Sequence, residues 1–344
     1  MDVLARRMLL CAMLAGAGQG VMPAHAAHAA PGVEPAARSA DMRDEATNRN
    51  ILALDCGRVA SAEVAGLLAQ GPTPRIILLQ GSFAVLTMEP FAQFLIAMGY
   101  PEPQIRDPRD GRDGRLSHGS FGDSLTWAGA LAWYYESEGM MPMLVGHSQG
   151  GMMAIRILHE LDGAFHESIP VWNPVAGAAL PRTTIRDPRT GATRPVLGLK
   201  IGYAAAIATG KLPRIFLGQW DMIAKLRRIP DTVDEFTGFS IPWDPIAGTF
   251  GDPEPYVATG TARVRNVTLP ASTSHLRIPE TLHLATNAVT RAWIDAWSPE
   301  GAAPLTSDAG VDTTNLLHAA DIWHSVKKHW CQSAQQVLRT REIH

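Results

Sequence analysis

Cysteine is scarce in this chain, with three residues, aromatics make up only 7%, and neither sign of charge dominates. Thirty Lys+Arg against 33 Asp+Glu leave a formal charge of −3. With no extended basic tract, a nucleic-acid binder driven mainly by electrostatics is excluded. Long apolar runs are also missing. The one uncharged stretch, Met8 to Met22, is shorter than the roughly 20 apolar residues a membrane-spanning helix needs. What is plentiful is apolar residue overall: 46% of 344 residues, with 31 Gly and 25 Pro. That is enough to bury a sizeable core, which excludes a mostly disordered or fibrous chain. The length fits two domains, or one large domain with extensions.

Residues 1–26 read as a secretory signal peptide. Arg6 and Arg7 precede the uncharged run, and Ala24-His25-Ala26 supplies a small-x-small cleavage site, with Ala27-His28-Ala29 as a second register. The protein is therefore expected to be exported, periplasmic or extracellular; a retained N-terminal anchor is the alternative. Cys11 falls inside the signal, so Cys56 and Cys331 remain. Two cysteines in an exported chain predict one disulfide, tying the N-terminal segment to the C-terminal helix. Two buried free thiols are the competing reading.

Residues 27–50, rich in Ala, Pro, Arg and Asp without periodicity, read as a flexible leader. Ile76-Ile77-Leu78-Leu79 suits a strand buried on both faces of a parallel sheet. A helical pattern runs from about Gly122 to Glu138, and Pro142 to Val145 reads as a strand with a helix at Met152 to Leu161. Further strands are expected at Ile169–Val175, Thr237–Trp243 and Val264–Leu269, with helices at Leu282–Trp297 and about Thr314–Leu338. Alternation of this kind predicts an α/β domain over 51–297 with a mainly parallel central sheet flanked by helices. Residues 298–344 read as a linker and a C-terminal helix. The segment Ile-Arg-Asp-Pro-Arg-x-Gly occurs twice, at 105–111 and 185–191, which reads as two similar Asp-Pro turns.

Between a predicted strand and a predicted helix stands Gly146-His147-Ser148-Gln149-Gly150-Gly151, which fits G-x-S-x-G. A serine hydroxyl is a weak nucleophile. It must be held clear of its own backbone on a sharp turn, and the flanking glycines permit that turn because a Cβ there would collide with strand or helix. A helix N-cap is the plainer role for Ser148.

On these residues the chain resembles the α/β-hydrolase superfamily over about residues 75–297, and its elbow is similar to those of lipases and esterases. The resemblance implies the α/β-hydrolase fold with a helical cap insert, and the chain order nucleophile, acid, histidine. His275, 127 residues after Ser148 in a loop behind the strand at 264–269, is the expected base; His283 is the rival. His147 is expected to pack or to line a pocket wall. His318, His324 and His329 share one helix at spacings that do not suit a metal, and are expected at the surface. Asp244, at a strand end 31 residues before His275, is the expected acid, against Asp252 in a Gly-Asp-Pro turn and Asp221. The oxyanion hole is expected to use the backbone N–H groups of Gln149 and Ser82. Position 80 is Gln where the resemblance would place His, so its amide is a candidate to hold that loop.

The cap insert is expected at about 178–235, with helical pieces near Tyr203–Thr209 and Trp220–Arg228. Between Val196 and Ile229 it holds six basic residues against one acid, together with many apolar side chains. An apolar roof over an acyl pocket, able to touch a lipid surface, and a packed element with a solvated basic face are equally good accounts of it. The sequence thus points to a carboxylic ester hydrolase acting through Ser148, His275 and Asp244 on a small-molecule or lipid ester, with no cofactor or metal and no nucleic-acid partner. An acyltransferase, a peptidase or amidase, and a non-catalytic binding protein with a retained elbow are the alternatives.

Overall fold

The architecture comes from a computed structural model that describes residues 45–82, 86–108, 114–301, 304–305 and 309–343. The signal peptide and most of the leader lie outside the described residues. Ile76–Leu79 (β1) is buried at all four positions, as a strand covered on both faces must be. It pairs with Met143–His147 (β2), and the sheet continues through Ile201–Ile207 (β3), Val233–Ser240 (β4) and Arg263–Thr268 (β5). All four pairings are parallel, and spatial order follows chain order. The result is a mixed α/β fold with a central parallel sheet flanked by helices.

Alternation along the strands sorts their side chains onto two cores. Ile76, Leu78, Val145, Tyr203, Ile207 and Phe239 share one apolar cluster with Glu89–Ala97 (α3), Ala288–Ala296 (α8) and Leu316–Ile343 (α9). Ile77, Leu79, Leu144, Ala204 and Phe236 face the other way, onto Ser124–Glu138 (α4) and Gln149–Leu161 (α5). Near the carboxyl ends of the strands the register sets Leu79, Gly146, Ala206 and Gly238 side by side. Three of these four are small, which lets the start of α5 come close to the sheet.

Several expectations need correction. The span Tyr203–Thr209, expected to be helical, belongs largely to β3, and β3 is the central strand of the sheet. Its Ala204-Ala205-Ala206 favours helix intrinsically, but burial on both faces overrides that preference. The region 178–235 is therefore not a cap insert as a whole. It includes the sheet strand and a short hairpin, Thr184–Arg186 with Thr193–Pro195, which carries the second Asp-Pro turn. Of this region, the β3–β4 connection, with the helix Leu212–Phe216 (α6) and a 3-10 turn Trp220–Met222, follows the carboxyl end of a sheet strand. Trp172–Asn173 pairs antiparallel with Ala178–Ala179 and does not join the sheet. Residues 45–50, assigned to the leader, are helical within Glu45–Ala53 (α1). The helix expected at 282–297 is two, Leu282–Thr286 (α7) and α8, parted at Asn287, whose side chain caps the N–H groups of Val289 and Thr290.

The long helix α9 is an integral part of the fold. Trp323 and Trp330 are fully buried, and the Trp330 indole donates to the Pro72 carbonyl at 3.1 Å. Asp321 accepts from Arg265 of β5 at 2.5 and 2.6 Å, and Lys328 donates to Glu235 of β4 at 2.6 Å. His318 and His329 are buried rather than at the surface, because α9 is covered by the sheet face on one side and by other chain segments on another. His318 Nε2 donates to the Ile278 carbonyl at 3.0 Å, and His329 stacks on Tyr203 with centroids 5.5 Å apart. On a further side, Gln335 donates to the carbonyls of Ile51 and Leu54, and Cys331 is bonded to Cys56 with Cα atoms 5.4 Å apart. Among the described residues, no helix is long and apolar enough to cross a membrane.

The disulfide closes a loop of 275 residues. Replacing both cysteines by serine is expected to cost about 3 kcal/mol and to lower Tm by roughly 5–10 °C. Alkylation of the denatured, unreduced protein should leave Cys56 and Cys331 unmodified; modification of both would refute the bond.

Candidate active site

The sharpest local feature lies where β2 meets α5. Ser148 has φ 55° and ψ −113°, a backbone conformation that a residue with a Cβ adopts only when its surroundings enforce it. The enforcement is visible in the neighbouring glycines. A Cβ on Gly146 would stand 2.2 Å from the Gly150 carbonyl oxygen, and one on Gly150 would stand 2.0 Å from that of Leu79. One on Gly151 would stand 2.1 Å from Thr209 Oγ1. Hydrogen bonds hold the serine itself: its N–H donates to Ile207 at 2.8 Å, and its carbonyl accepts from Thr209 Oγ1 at 2.9 Å. The Ser148 side chain is half-buried, and its hydroxyl makes no hydrogen bond among the described residues.

Asp244 lies four residues beyond β4 and His275 seven beyond β5. Both are buried, at 3% and 7% exposure, and His275 Nδ1 donates to Asp244 Oδ2 at 2.6 Å. The other carboxylate oxygen accepts the N–H groups of Ile246 and Ala247, each at 3.0 Å. Burial pushes the Asp244 carboxyl up, but the hydrogen bond and charge of His275 and the two N–H groups outweigh it, and the net effect lies below the ordinary carboxylate value. The pairing fixes the ring and leaves Nε2 available. Beneath it lies His147, ring centroids 5.0 Å apart. Burial and the neighbouring His275 pull the His147 pKa down to about 3, so this ring is a neutral platform.

Of the two expected oxyanion donors, one is the residue after Ser148 and the other follows a glycine that touches it. The Gln149 N–H is the first of α5, where no carbonyl of the helix can reach it. Ser82 follows Gly81, which abuts Ser148: a Cβ on Gly81 would stand 3.5 Å from Ser148 Cβ. Neither N–H has an acceptor among the described residues. Gln80 does brace this loop, its Oε1 accepting from Ser117 Oγ at 3.1 Å, and Ser120 Oγ donates to the Gly81 carbonyl at 3.4 Å.

Among the described residues, none of the rivals takes the place of Asp244 or His275 in that pair. Asp252 is exposed, Asp221 pairs with Arg156, and His283 bonds the Asp312 carbonyl at 2.8 Å. Sequence reasoning did not single out Arg214, whose guanidinium donates to the Gln149 side chain and to Gln219 Oε1 at 2.6 Å. It is 1% exposed and pairs with no carboxylate among the described residues, and burial lowers its pKa to about 10. No motif marks it, since α6 reads as one more basic-apolar stretch. Among the described residues, no group of three His, Cys, Asp or Glu side chains is arranged to hold a metal ion.

Comparison of the chain with protein-family models, with curated proteins and with solved structures finds no match.

Two outcomes follow. Gly150→Ala should destabilise the fold by about 3 kcal/mol through overpacking, whereas Gly66→Ala, with nothing within 4 Å of the new methyl, should be neutral or slightly stabilising. Equal denaturation midpoints would contradict the packing argument. The second outcome concerns acid. His147 and His318 have folded pKa values of about 3 and about 4, below the ordinary 6.5. The unfolded chain therefore binds more protons between those values, so stability is full above pH 6.5 and is lost as pH falls. Each ring should remove about 1.4 kcal/mol per pH unit through that window. Urea denaturation at pH 7.5, 6 and 5 measures this, and a flat series would count against it.

Proposed function

We propose that the protein is a serine hydrolase of the α/β-hydrolase type that cleaves carboxylic esters. One observation carries the reading: the buried Asp244–His275 hydrogen bond lies at the same sheet end as a serine in strained backbone conformation. Nucleophile, acid and base follow the second, fourth and fifth strands, all at carboxyl ends, where sites in parallel sheets gather. Ser148 Oγ attacks the ester carbonyl carbon while His275 Nε2 takes its proton. The oxyanion that forms is held by the N–H groups of Gln149 and Ser82. Collapse breaks the bond to the alcohol, which leaves with the proton from His275. Water then attacks the acyl-enzyme with His275 again as base, and the free acid departs. Asp244 holds the imidazole in one tautomer and stabilises its charged form. The open Ser148 hydroxyl is compatible with this scheme, because catalytic hydrogen bonds often tighten only with substrate bound.

An apolar acyl group fits the surroundings. Phe216 is 79% exposed, Trp243 70% and Phe250 71%, and Trp220, Ile246 and Leu276 are also exposed. All lie on connections leaving the carboxyl ends of β3, β4 and β5, and exposed apolar side chains at a site mouth mark a ligand or lipid contact. The signal-like residues 1–26 and the disulfide support an exported, oxidising location.

A fluorophosphonate probe tests the nucleophile. Wild type should be labelled, Ser148→Ala should not, and Asp244→Asn should be labelled at least about 100-fold more slowly. Equal labelling of wild type and Ser148→Ala would overturn the reading.

A further inference from the structure

Two guanidiniums and a phenol are buried around the residues that follow β3. Arg214 of α6 is 1% exposed, Arg227 7% and Tyr256 2%. Arg214 Nε donates to the Gly210 carbonyl at 3.3 Å, and Arg227 Nη2 to that of Thr209 at 3.0 Å. A short parallel ladder, Arg228–Ile229 with Val257–Ala258, brings Arg227 beside Tyr256, and the Val257 N–H donates to the Arg227 carbonyl at 2.8 Å. The Arg227 guanidinium lies 4.2 Å from the Tyr256 ring centroid. That ring has its place because position 238 of β4 is glycine: a Cβ there would stand 2.0 Å from Tyr256 Cδ2. Burial raises the Tyr256 pKa, and Arg227, Thr209 and Arg214 act on the phenol in the opposite sense.

The cluster has donors to spare and no negative charge. Among the described residues, Arg227 Nε and Nη1 and Tyr256 Oη are buried without a hydrogen-bond partner, and Arg214 Nη2 makes no hydrogen bond. Unmet donors are costly in a protein interior, most of all on a charged group. Neither guanidinium pairs with a carboxylate among the described residues. Tyr256 does not supply the counter-charge, because its raised pKa keeps the phenol neutral at ordinary pH. Arg214 remains charged, since burial lowers its pKa only to about 10. A water molecule could take the loose hydrogen bonds but would leave two like charges enclosed. A small anion takes both the hydrogen bonds and the charge. A larger oxyanion brings more acceptor oxygens than these donors can meet.

We propose that Arg214, Arg227 and Tyr256 form a binding site for one chloride-sized anion, which braces the β3–β4 connection against the Ser148 turn. The bracing follows from the other partners of the same arginines. Arg214 also donates to the Gln149 side chain, and Thr209, which accepts from Arg227, donates through Oγ1 to the Ser148 carbonyl at 2.9 Å. Two guanidiniums with one monovalent anion keep a net positive charge beside that turn. The inference goes beyond the hydrolase reading, and its test needs no turnover.

Thermal unfolding in sodium chloride and in sodium gluconate, at one pH and one ionic strength, tests the site, because gluconate is too large to be enclosed. At about 150 mM salt, Tm should be higher in chloride by about 3 °C or more, and the gain should grow with the logarithm of chloride concentration. Arg227→Met, which removes one charge and two unmet donor groups while keeping an apolar stem in place, should abolish the difference. Tyr256→Phe, which keeps the ring over Gly238, should reduce it. In crystals of the wild-type protein grown with sodium bromide, anomalous scattering should place an ion among the three side chains. Equal Tm in the two salts, a chloride gain that either substitution leaves intact, or bromide crystals with no anomalous peak among these side chains would each overturn the inference.

Discussion

The close approach of α5 to the sheet is the constraint on which the rest depends. A helix normally stands off a sheet by the length of its side chains, but here the first turn of α5 reaches the carbonyls of β1 and β2 with no side chain between. A methyl at Gly146 or Gly150 would sit within 2.2 Å of backbone oxygen. That proximity forces the chain to reverse within one residue, and the residue that absorbs the reversal is Ser148, at φ 55°. Strain of this kind costs of order 1–3 kcal/mol. It persists because the surrounding hydrogen bonds, Ser148 to Ile207 and Thr209 to Ser148, over-determine the turn.

The proposed acid and base are held differently. Asp244 and His275 lie on loops, and their geometry depends on how firmly β4 and β5 are fixed. Here α9 matters, although it is far along the chain. It grips β4 through Lys328 and His329 on Glu235, and β5 through Asp321 on Arg265. Burial raises the Glu235 carboxyl, but hydrogen bonds from His329 and Lys328 outweigh it and hold it far below the ordinary range. Glu235 is therefore charged at neutral pH. Behind it the disulfide and Gln335 bind α9 to the segment preceding β1. The two ends of the described chain thus meet on one helix, which braces the two strands that lead to Asp244 and His275.

Legibility in the sequence followed how local each determinant is. The elbow could be read because its glycines, serine and apolar strand are contiguous. Asp244 and His275 could be nominated because each follows a β-type run closely. The β3 strand could not: three alanines read as helix, and only knowledge of burial on both faces corrects that. The same blindness placed His318 and His329 at the surface, since helical spacing says which residues share a face but not how many faces are covered. Gln80 was legible as an oddity, and its amide does brace the loop through Ser117. Arg214 was not legible, because nothing near it in sequence distinguishes a buried guanidinium from a solvated one.

That arginine bears on the electrostatics of the site. Arg214 touches the Gln149 side chain, and Arg227, 7% exposed, donates to the Thr209 carbonyl at 3.0 Å while lying 4.2 Å from the Tyr256 ring. Neither has a carboxylate partner among the described residues. Burying a charge without a counter-charge costs several kcal/mol per ion, so a core selected for stability alone would have neutral side chains at both positions. Their bonding partners are Gln149, which follows Ser148, and Thr209, which holds the Ser148 carbonyl. Positive charge is therefore concentrated around the turn where the proposed chemistry develops a negative oxygen. Interactions that strengthen as that charge appears are the ones that accelerate a reaction. If the turn carries the proposed chemistry, the stability given up at these two positions has a use there that a purely structural turn would not give it.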